Sequence, residues 1–293
     1  MSDNGSGKGA ACHGGPAQME AKDITRIFRV PGQAAVTALK DCSLSVEPGK
    51  LTVLVGPSGC GKTTLASILA GYDQPTSGQA LINGQPVKGP GPDRLMVFQE
   101  TALWPWMTVL GNALFGPSMI GKLDKQEAEG RAMGLLDKVG LRDFKDKYPA
   151  QLSGGMQRRA ELCRALVNEP AVMILDEPFR GLDVMTRELM QEYLIKLYEE
   201  TRMTMLFITA EIEEALFLAD RILVMTNLPG TIKTCVEVDL PRPRDYRVLA
   251  SQRYLELKGQ VMESLYEEGA KAFGKLAAFN LLGACAPAAG DQG

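Results

Sequence analysis

The run Gly56-Pro57-Ser58-Gly59-Cys60-Gly61-Lys62-Thr63, with Thr64 behind it, carries the clearest chemistry in the chain. Glycines at this spacing let the backbone curl, so that successive N–H groups and the start of a following helix face an anion. Lys62 would reach the β- and γ-phosphates of a nucleoside triphosphate, and the Thr63 hydroxyl would hold Mg2+. A flexible turn with a chance lysine is the plain alternative. Against it, the loop directly follows the strand-like run Leu51–Val55 and leads into a helical stretch, Thr63–Ala70. Cys60 reads as a small tolerated residue rather than a redox switch. The apolar run Val172–Leu175 ends in Asp176-Glu177. A buried strand followed by two carboxylates places both at the carboxyl edge of a sheet, where ligands of α/β folds bind. Asp176 fits a Mg2+ ligand through water, and Glu177 a general base that polarises an attacking water. Two acids could instead cap the next helix, but here they meet a phosphate loop.

These groups need a frame of strands and helices. Short β-rich runs, Asp23–Val30, Ser43–Val46 and Leu51–Val55, are separated by turn residues such as Glu47-Pro48-Gly49-Lys50. From about Met107 to Val139 the period becomes helical, with Leu135, Leu136 and Val139 on one face and Asp124 opening a polar first turn. Strand-like runs return at Val172–Leu175, Met205–Thr209 and Ile222–Met225. An amphipathic helix, Arg187–Tyr198, puts Leu189, Tyr193, Leu194 and Leu197 on one face. After Pro241-Arg242-Pro243-Arg244 a last helix carries Leu255, Val261, Met262 and Leu265. Strands alternating with helices predict an α/β fold with a mostly parallel sheet covered on both sides. Residues 1–19 are rich in Gly, Ser and Ala without periodicity and are expected to be a disordered tail. The folded domain is expected over residues 20–268, with a helical insertion at about 100–168 and an Ala/Gly-rich tail over 269–293.

Composition removes several classes of function. The 293 residues are 45% hydrophobic and 23% charged, an ordinary globular balance. No apolar run approaches the roughly 18 residues of a membrane-spanning helix. The net charge of −3, with no basic block, argues against a nucleic-acid partner. Six cysteines without paired spacing and no secretory leader point to a reducing, cytoplasmic setting. Cys12 beside His13 lacks the second ligand pair of a metal site. His13 is the chain's single histidine, so the folded body has no imidazole to use.

A third run, Leu152-Ser153-Gly154-Gly155-Met156-Gln157, precedes the helical stretch Arg158–Val167 and lies just ahead of the acidic strand. With the phosphate loop and the Asp-Glu pair, it makes the chain resemble the nucleotide-binding subunits of ATP-binding cassette (ABC) transporters over about residues 20 to 265. The resemblance implies a P-loop NTPase core of RecA-like type, an N-terminal antiparallel β subdomain and an inserted α-helical subdomain, with ATP and Mg2+ as ligands. It also implies a head-to-tail dimer, homodimeric or heterodimeric, with a second ATPase subunit. In that dimer Ser153, Gly154, Gly155 and Gln157 meet the nucleotide held on the partner's phosphate loop. Phe28 falls where an aromatic ring stacks on adenine, although an aromatic on a strand is also ordinary core. Gln99 matches the glutamine that senses Mg2+, and Asp183 in Gly181-Leu182-Asp183 the loop that communicates between the two sites.

Gly89-Pro90-Gly91-Pro92-Asp93-Arg94, the later Leu103-Trp104-Pro105-Trp106 and Leu240-Pro241-Arg242-Pro243-Arg244 are similar to the nitrate/sulfonate/taurine branch of bacterial importers. That branch implies transmembrane permease partners and a place on the inner face of the cell membrane. Trp104 and Trp106 either cup the permease's coupling helix or pack the helical subdomain. One match fails. The resemblance implies a histidine that contacts the γ-phosphate after Leu206-Phe207-Ile208-Thr209, and this sequence has Ala210 there, followed by Glu211. An ATP-hydrolysing importer subunit is the leading reading. The alternatives are a slow or non-hydrolytic ATP-gated clamp and, further back, a soluble ABC protein acting on nucleic acid.

Overall fold

The structure, a computed structural model, describes residues 16–29, 31–32, 34–121 and 123–283, with side chains to 271. The expected N-terminal tail and the Cys12-His13 pair therefore lie almost entirely outside the described residues. Two sheets organise the rest. Strands β1 (Met19–Phe28), β2 (Val36–Val46), β4 (Ser77–Ile82) and β5 (Gln85–Pro86) form an antiparallel sheet in the order β2-β1-β4-β5. Strands β3 (Leu51–Val55), β6 (Arg94–Val97), β7 (Val172–Asp176), β8 (Thr204–Ile208), β9 (Arg221–Met225) and β10 (Ile232–Glu237) form the second, ordered β10-β9-β3-β8-β7-β6. All its neighbours run parallel except β10, which returns antiparallel to β9.

The central strands β3, β7 and β8 are buried at every position and mostly apolar because both faces of this sheet are covered. Val53, Leu175 and Phe207 point to one side, into a core shared with Leu194, Leu216 and Leu257. Those three come from α5 (Val184–Thr201), α6 (Ile212–Leu218) and α7 (Gln252–Gly283). Leu54, Ile174 and Leu206 point to the other, against Leu65 and Leu69 of α1 (Lys62–Ala70) and against Met19, Ile24 and Val46 of the antiparallel sheet. Three helices, α2 (Val109–Ile120), α3 (Lys125–Lys138) and α4 (Gly154–Leu166), lie in the chain between β6 and β7. Their mutual core includes Val109, Leu136, Val139, Leu152 and Ala160. Asp124 caps α3 by accepting from the Glu127 N–H.

One helix face differs from the sequence expectation, and a second helix buries only part of its apolar set. On α5 the buried side is Met190, Leu194, Leu197 and Tyr198, whereas Leu189 is exposed. On α7 it is Tyr254, Leu257 and Val261, with Leu255 and Met262 exposed. Both helices carry apolar residues on more than one face, and tertiary packing chose among them. Helix α7 also continues to Gly283, so the Ala/Gly-rich segment expected from 269 begins inside a helix.

Candidate functional site

Strand β3 is wholly buried and delivers the chain into the phosphate loop. Gly61 sits at φ +103°, and a Cβ there would stand 2.9 Å from Leu39 Cδ2 and 3.0 Å from the Ala38 carbonyl oxygen. Only glycine fits that backbone and that space. The Cys60 thiol is buried against Gly56 and Met225, and burial pushes its pKa up, away from the reactive thiolate. Lys62 is also buried, and its Nζ donates to the carbonyls of Gly56 (2.8 Å) and Pro57 (2.9 Å). The ammonium is thus stored inside the loop that an anion would occupy.

Strand β7 brings the acids alongside. Burial raises the Asp176 carboxyl above the usual range, opposed by a hydrogen bond with the Thr63 hydroxyl, reinforced by Glu177 and opposed again by Lys62. Its Oδ1 is buried with no hydrogen-bond partner. A buried carboxylate oxygen left open beside a hydroxyl is the donor set a hard divalent cation takes, so Thr63 and Asp176 fit Mg2+. Glu177 follows at φ +44°, its N–H bonded to the Ile208 carbonyl at 2.9 Å. A non-glycine residue in the left-handed region is strained, and strand β8 holds it there.

Arg180, absent from the expected site, ties this acid to the loop after β6. Its Nη1 donates to Glu177 Oε2 at 3.0 Å, and with the Gln99 amide oxygen turned toward it, Nη1 and Nε donate there at 2.8 and 3.2 Å. Gln99 is therefore beside Glu177 through Arg180. Among the described residues no hydrogen bond joins its side chain to Thr63 or Asp176. The same loop is clamped to α4. Buried Arg158 donates to the carbonyls of Phe98 (2.7 Å) and Gln99 and pairs with Glu161 at 2.6 Å; Glu161 in turn accepts from the Ala102 N–H at 3.0 Å. The i, i+3 spacing of Arg158 and Glu161 on a helix was the available signal for this pair.

The Ser153 run starts α4. The Ser153 hydroxyl accepts from the Met156 N–H at 3.3 Å, and Ser153 and Gly154 are exposed. A Cβ on Gly155 would meet Thr186 Cγ2 at 2.8 Å, so small size there lets α4 approach α5. The Gln157 amide nitrogen donates to the Pro149 (2.9 Å) and Leu152 (3.3 Å) carbonyls, which fixes the turn before Ser153. Among the described residues no hydrogen bond links Ser153, Gly154, Gly155 or Gln157 to residues 56–64. Asp183 caps α5, accepting from the Thr186 N–H at 3.0 Å. Phe28 is not core: its ring is 39% exposed, with the Arg26 guanidinium 4.7 Å from its centroid.

Beside the loop lies a cavity of about 250 Å3 lined by Ser58, Glu177, Arg180, Arg187, Ala210 and two further glutamates, Glu211 and Glu214. A second cavity, about 220 Å3, opens between the sheet and the helical segment, lined by Phe98, Ala102, Phe115, Met119 and Arg164. The tryptophans behind Phe115 differ. Trp104 packs 5.6 Å from Phe115, whereas Trp106, 5.1 Å from Trp104, is 66% exposed.

Comparison with known proteins agrees with this architecture. A family model described as ABC transporter matches residues 39–180. The taurine import ATP-binding protein TauB of Roseobacter denitrificans is 47% identical over 216 residues, 73% of this chain and 80% of that protein. The nitrate import ATP-binding protein NrtD of Synechocystis is 40% identical over 253 residues, 84% and 94% of the two chains. Among solved structures, a dimeric bacterial ABC transporter cassette superposes with a TM-score of 0.67 at 30% identity, covering 75% of this chain and 98% of that one. A post-hydrolysis state of the same cassette, bound to ADP and Pi, gives 0.67 at 29% identity with the same coverage. The phosphate loop, the acidic strand and the Ser153 segment thus stand in a chain that belongs to the ABC transporter ATP-binding proteins, ATPases that use ATP with Mg2+.

Proposed function

We propose that this chain is the motor of an importer for small anions of the nitrate, sulfonate or taurine type, working as a head-to-tail dimer on the inner face of the cell membrane. The observation that carries the dimer is the outward-facing Ser153 segment. The α4 N-terminus presents open N–H groups and a hydroxyl, but its own phosphate loop is not what it meets, so an anion there must come from another chain. Similarity to taurine and nitrate import proteins supports the substrate class. The aromatic rim of the second cavity supports a permease helix as the partner above Phe98 and Phe115. No helix of the described residues is long and apolar enough to cross a membrane, which makes the pathway another subunit's task.

In this reading the loop N–H groups and Lys62 hold the β- and γ-phosphates, and Lys62 leaves the Gly56 and Pro57 carbonyls to do so. Bound Mg2+, held by Thr63 and Asp176, would offset phosphate charge. Glu177 accepts a proton from water as the water oxygen bonds to the γ-phosphorus and the bond to the bridging oxygen breaks, giving ADP and phosphate. Gln99, bonded through its backbone to Arg158, carries the state of the site to α4, and Asp183 does the same toward the partner. Phe28, exposed at the end of β1, offers a ring face to adenine.

The test is ATP turnover of the purified chain with Mg2+, alongside Glu177→Gln. General bases contribute roughly 100- to 10,000-fold, so turnover should fall by at least about 100-fold while ATP binding persists. Absence of turnover in the parent, with ATP-dependent dimerisation intact, would replace the motor by a clamp.

A further inference from the structure

The cavity beside the phosphate loop has an electrostatic problem. Glu177, Glu211 and Glu214 face it, and position 210 supplies only a methyl group. A triphosphate brings its highest negative charge to this end of the site. Two arginines line the same space. Arg187 is the less mobile of the two: its Nη2 donates to the Leu182 carbonyl at 3.2 Å, its Nε is buried without a partner, and its charge acts on Glu214, itself buried against Gln191. Arg180 is not. Its side chain is 64% exposed, its bonds go only to Glu177 and Gln99, and its Nη2 has no hydrogen-bond partner among the described residues.

We propose that Arg180 is a catalytic residue of this chain, a cation that leaves Glu177 and Gln99 for the terminal phosphate of bound ATP and takes the place of the histidine missing at position 210. The inference rests on the function proposed above and adds a residue and a switch to it. In the resting site Arg180 holds Glu177, so one oxygen of the base is bonded to a guanidinium. A γ-phosphate is a stronger, more highly charged acceptor than a carboxylate, and guanidinium binds phosphate oxygens in a planar fork. Arrival of ATP therefore competes Arg180 away from Glu177, which frees the base only when a γ-phosphate is present. ADP lacks that phosphate and leaves the pair closed. The arrangement couples charge stabilisation to activation of the base and needs no group beyond those lining the cavity and Gln99.

The experiment compares the parent, Arg180→Ala, Arg180→Lys and Arg180→Ala combined with Ala210→His. Affinities for ADP and for the non-hydrolysable β,γ-imido analogue of ATP are read by fluorescence titration with Mg2+, and turnover is read in parallel. A charge-assisted bond to phosphate predicts a loss of roughly 10- to 100-fold in affinity for the triphosphate analogue in Arg180→Ala, with ADP affinity unchanged. Arg180→Lys should fall between, and Ala210→His should restore turnover to the Arg180→Ala chain. Equal affinities in parent and Arg180→Ala, an equal loss for both nucleotides, or turnover that rises on removing Arg180 would each overturn the proposal. A parent chain that binds neither nucleotide overturns the function itself. A parent that turns over ATP beside an indifferent Arg180→Ala overturns only this inference.

Discussion

The phosphate loop and the Ser153 segment are both glycine-containing runs that end at a helix N-terminus, yet the chain surrounds them differently. At the first, Cys60 and Lys62 are buried, Leu39 and Ala38 press on Gly61, and Asp176 stands alongside with an open oxygen. At the second, Ser153 and Gly154 are exposed, and a Cβ added to Gly154 would meet nothing within 4 Å. Ser58, Gly59 and Thr63 are exposed too, so the difference lies in the partners: the first site has its lysine and carboxylate within its own chain, and the second has neither beside it among the described residues. Burial at the loop strengthens its electrostatics, and exposure at α4 keeps its affinity low until a partner excludes water.

Substitutions in the two regions should therefore fail in different ways. The largest effect is expected at Lys62→Ala, which removes the charge-assisted donor to two phosphates and should weaken ATP binding by about 100-fold or more in a fluorescence titration. Arg158→Ala strands Glu161, buried on α4, and should cost about 3–5 kcal/mol in urea unfolding while detaching the Gln99 loop. Gly61→Ala forces a Cβ into Leu39 and the Ala38 carbonyl and should destabilise by roughly 1–3 kcal/mol, with nucleotide affinity falling as well. Gly154→Asp should leave the melting temperature and ATP affinity of the single chain unchanged and abolish turnover.

A smaller effect away from both regions provides a control. Glu268 of α7 is buried, yet its hydrogen bonds with Lys271 (2.7 Å) and the Asn227 N–H (3.0 Å) and its 3.2 Å pair with Lys233 outweigh burial and push its pKa down to about 2. A depressed carboxyl contributes stability that is full above its ordinary value of 4.5 and is lost as pH falls toward 2. Glu268→Gln should thus cost about 1 kcal/mol at pH 7 and flatten the acid limb of the unfolding curve, with no change in nucleotide affinity.

The central strands were legible because burial on both faces leaves an uninterrupted apolar run, and the phosphate loop because its chemistry is local in sequence. Asp124 was readable as a helix cap for the same reason. What escaped depended on tertiary choice. The periodicity of α5 groups Leu189 with the buried face, but Met190 and Tyr198 take the core there, and on α7 Leu255 and Met262 stay exposed while Tyr254 and Leu257 are buried. Strand β2 begins at Val36, well ahead of the expected Ser43, because Val36, Thr37 and Leu39 pair with β1 while Ala38 and Lys40, which carry little strand signal of their own, bond to Gly230. Arg158 bonds across about sixty positions to the Gln99 loop, and Arg180 reveals its place only when the 99 and 177 loops are brought together. Phe28 could be core or ligand face by sequence, and its exposure decides against core.

The central claim, that each nucleotide site joins the phosphate loop of one chain to the Ser153 segment of another, is tested most directly by mixing two inactive variants. Lys62→Ala keeps an intact Ser153 segment, and Gly154→Asp keeps an intact phosphate loop. In a head-to-tail dimer the mixed pair contains one complete site, so ATP turnover should reappear on mixing and vary with the ratio of the two chains. Turnover that stays at the sum of the two separate variants at every ratio would contradict the account.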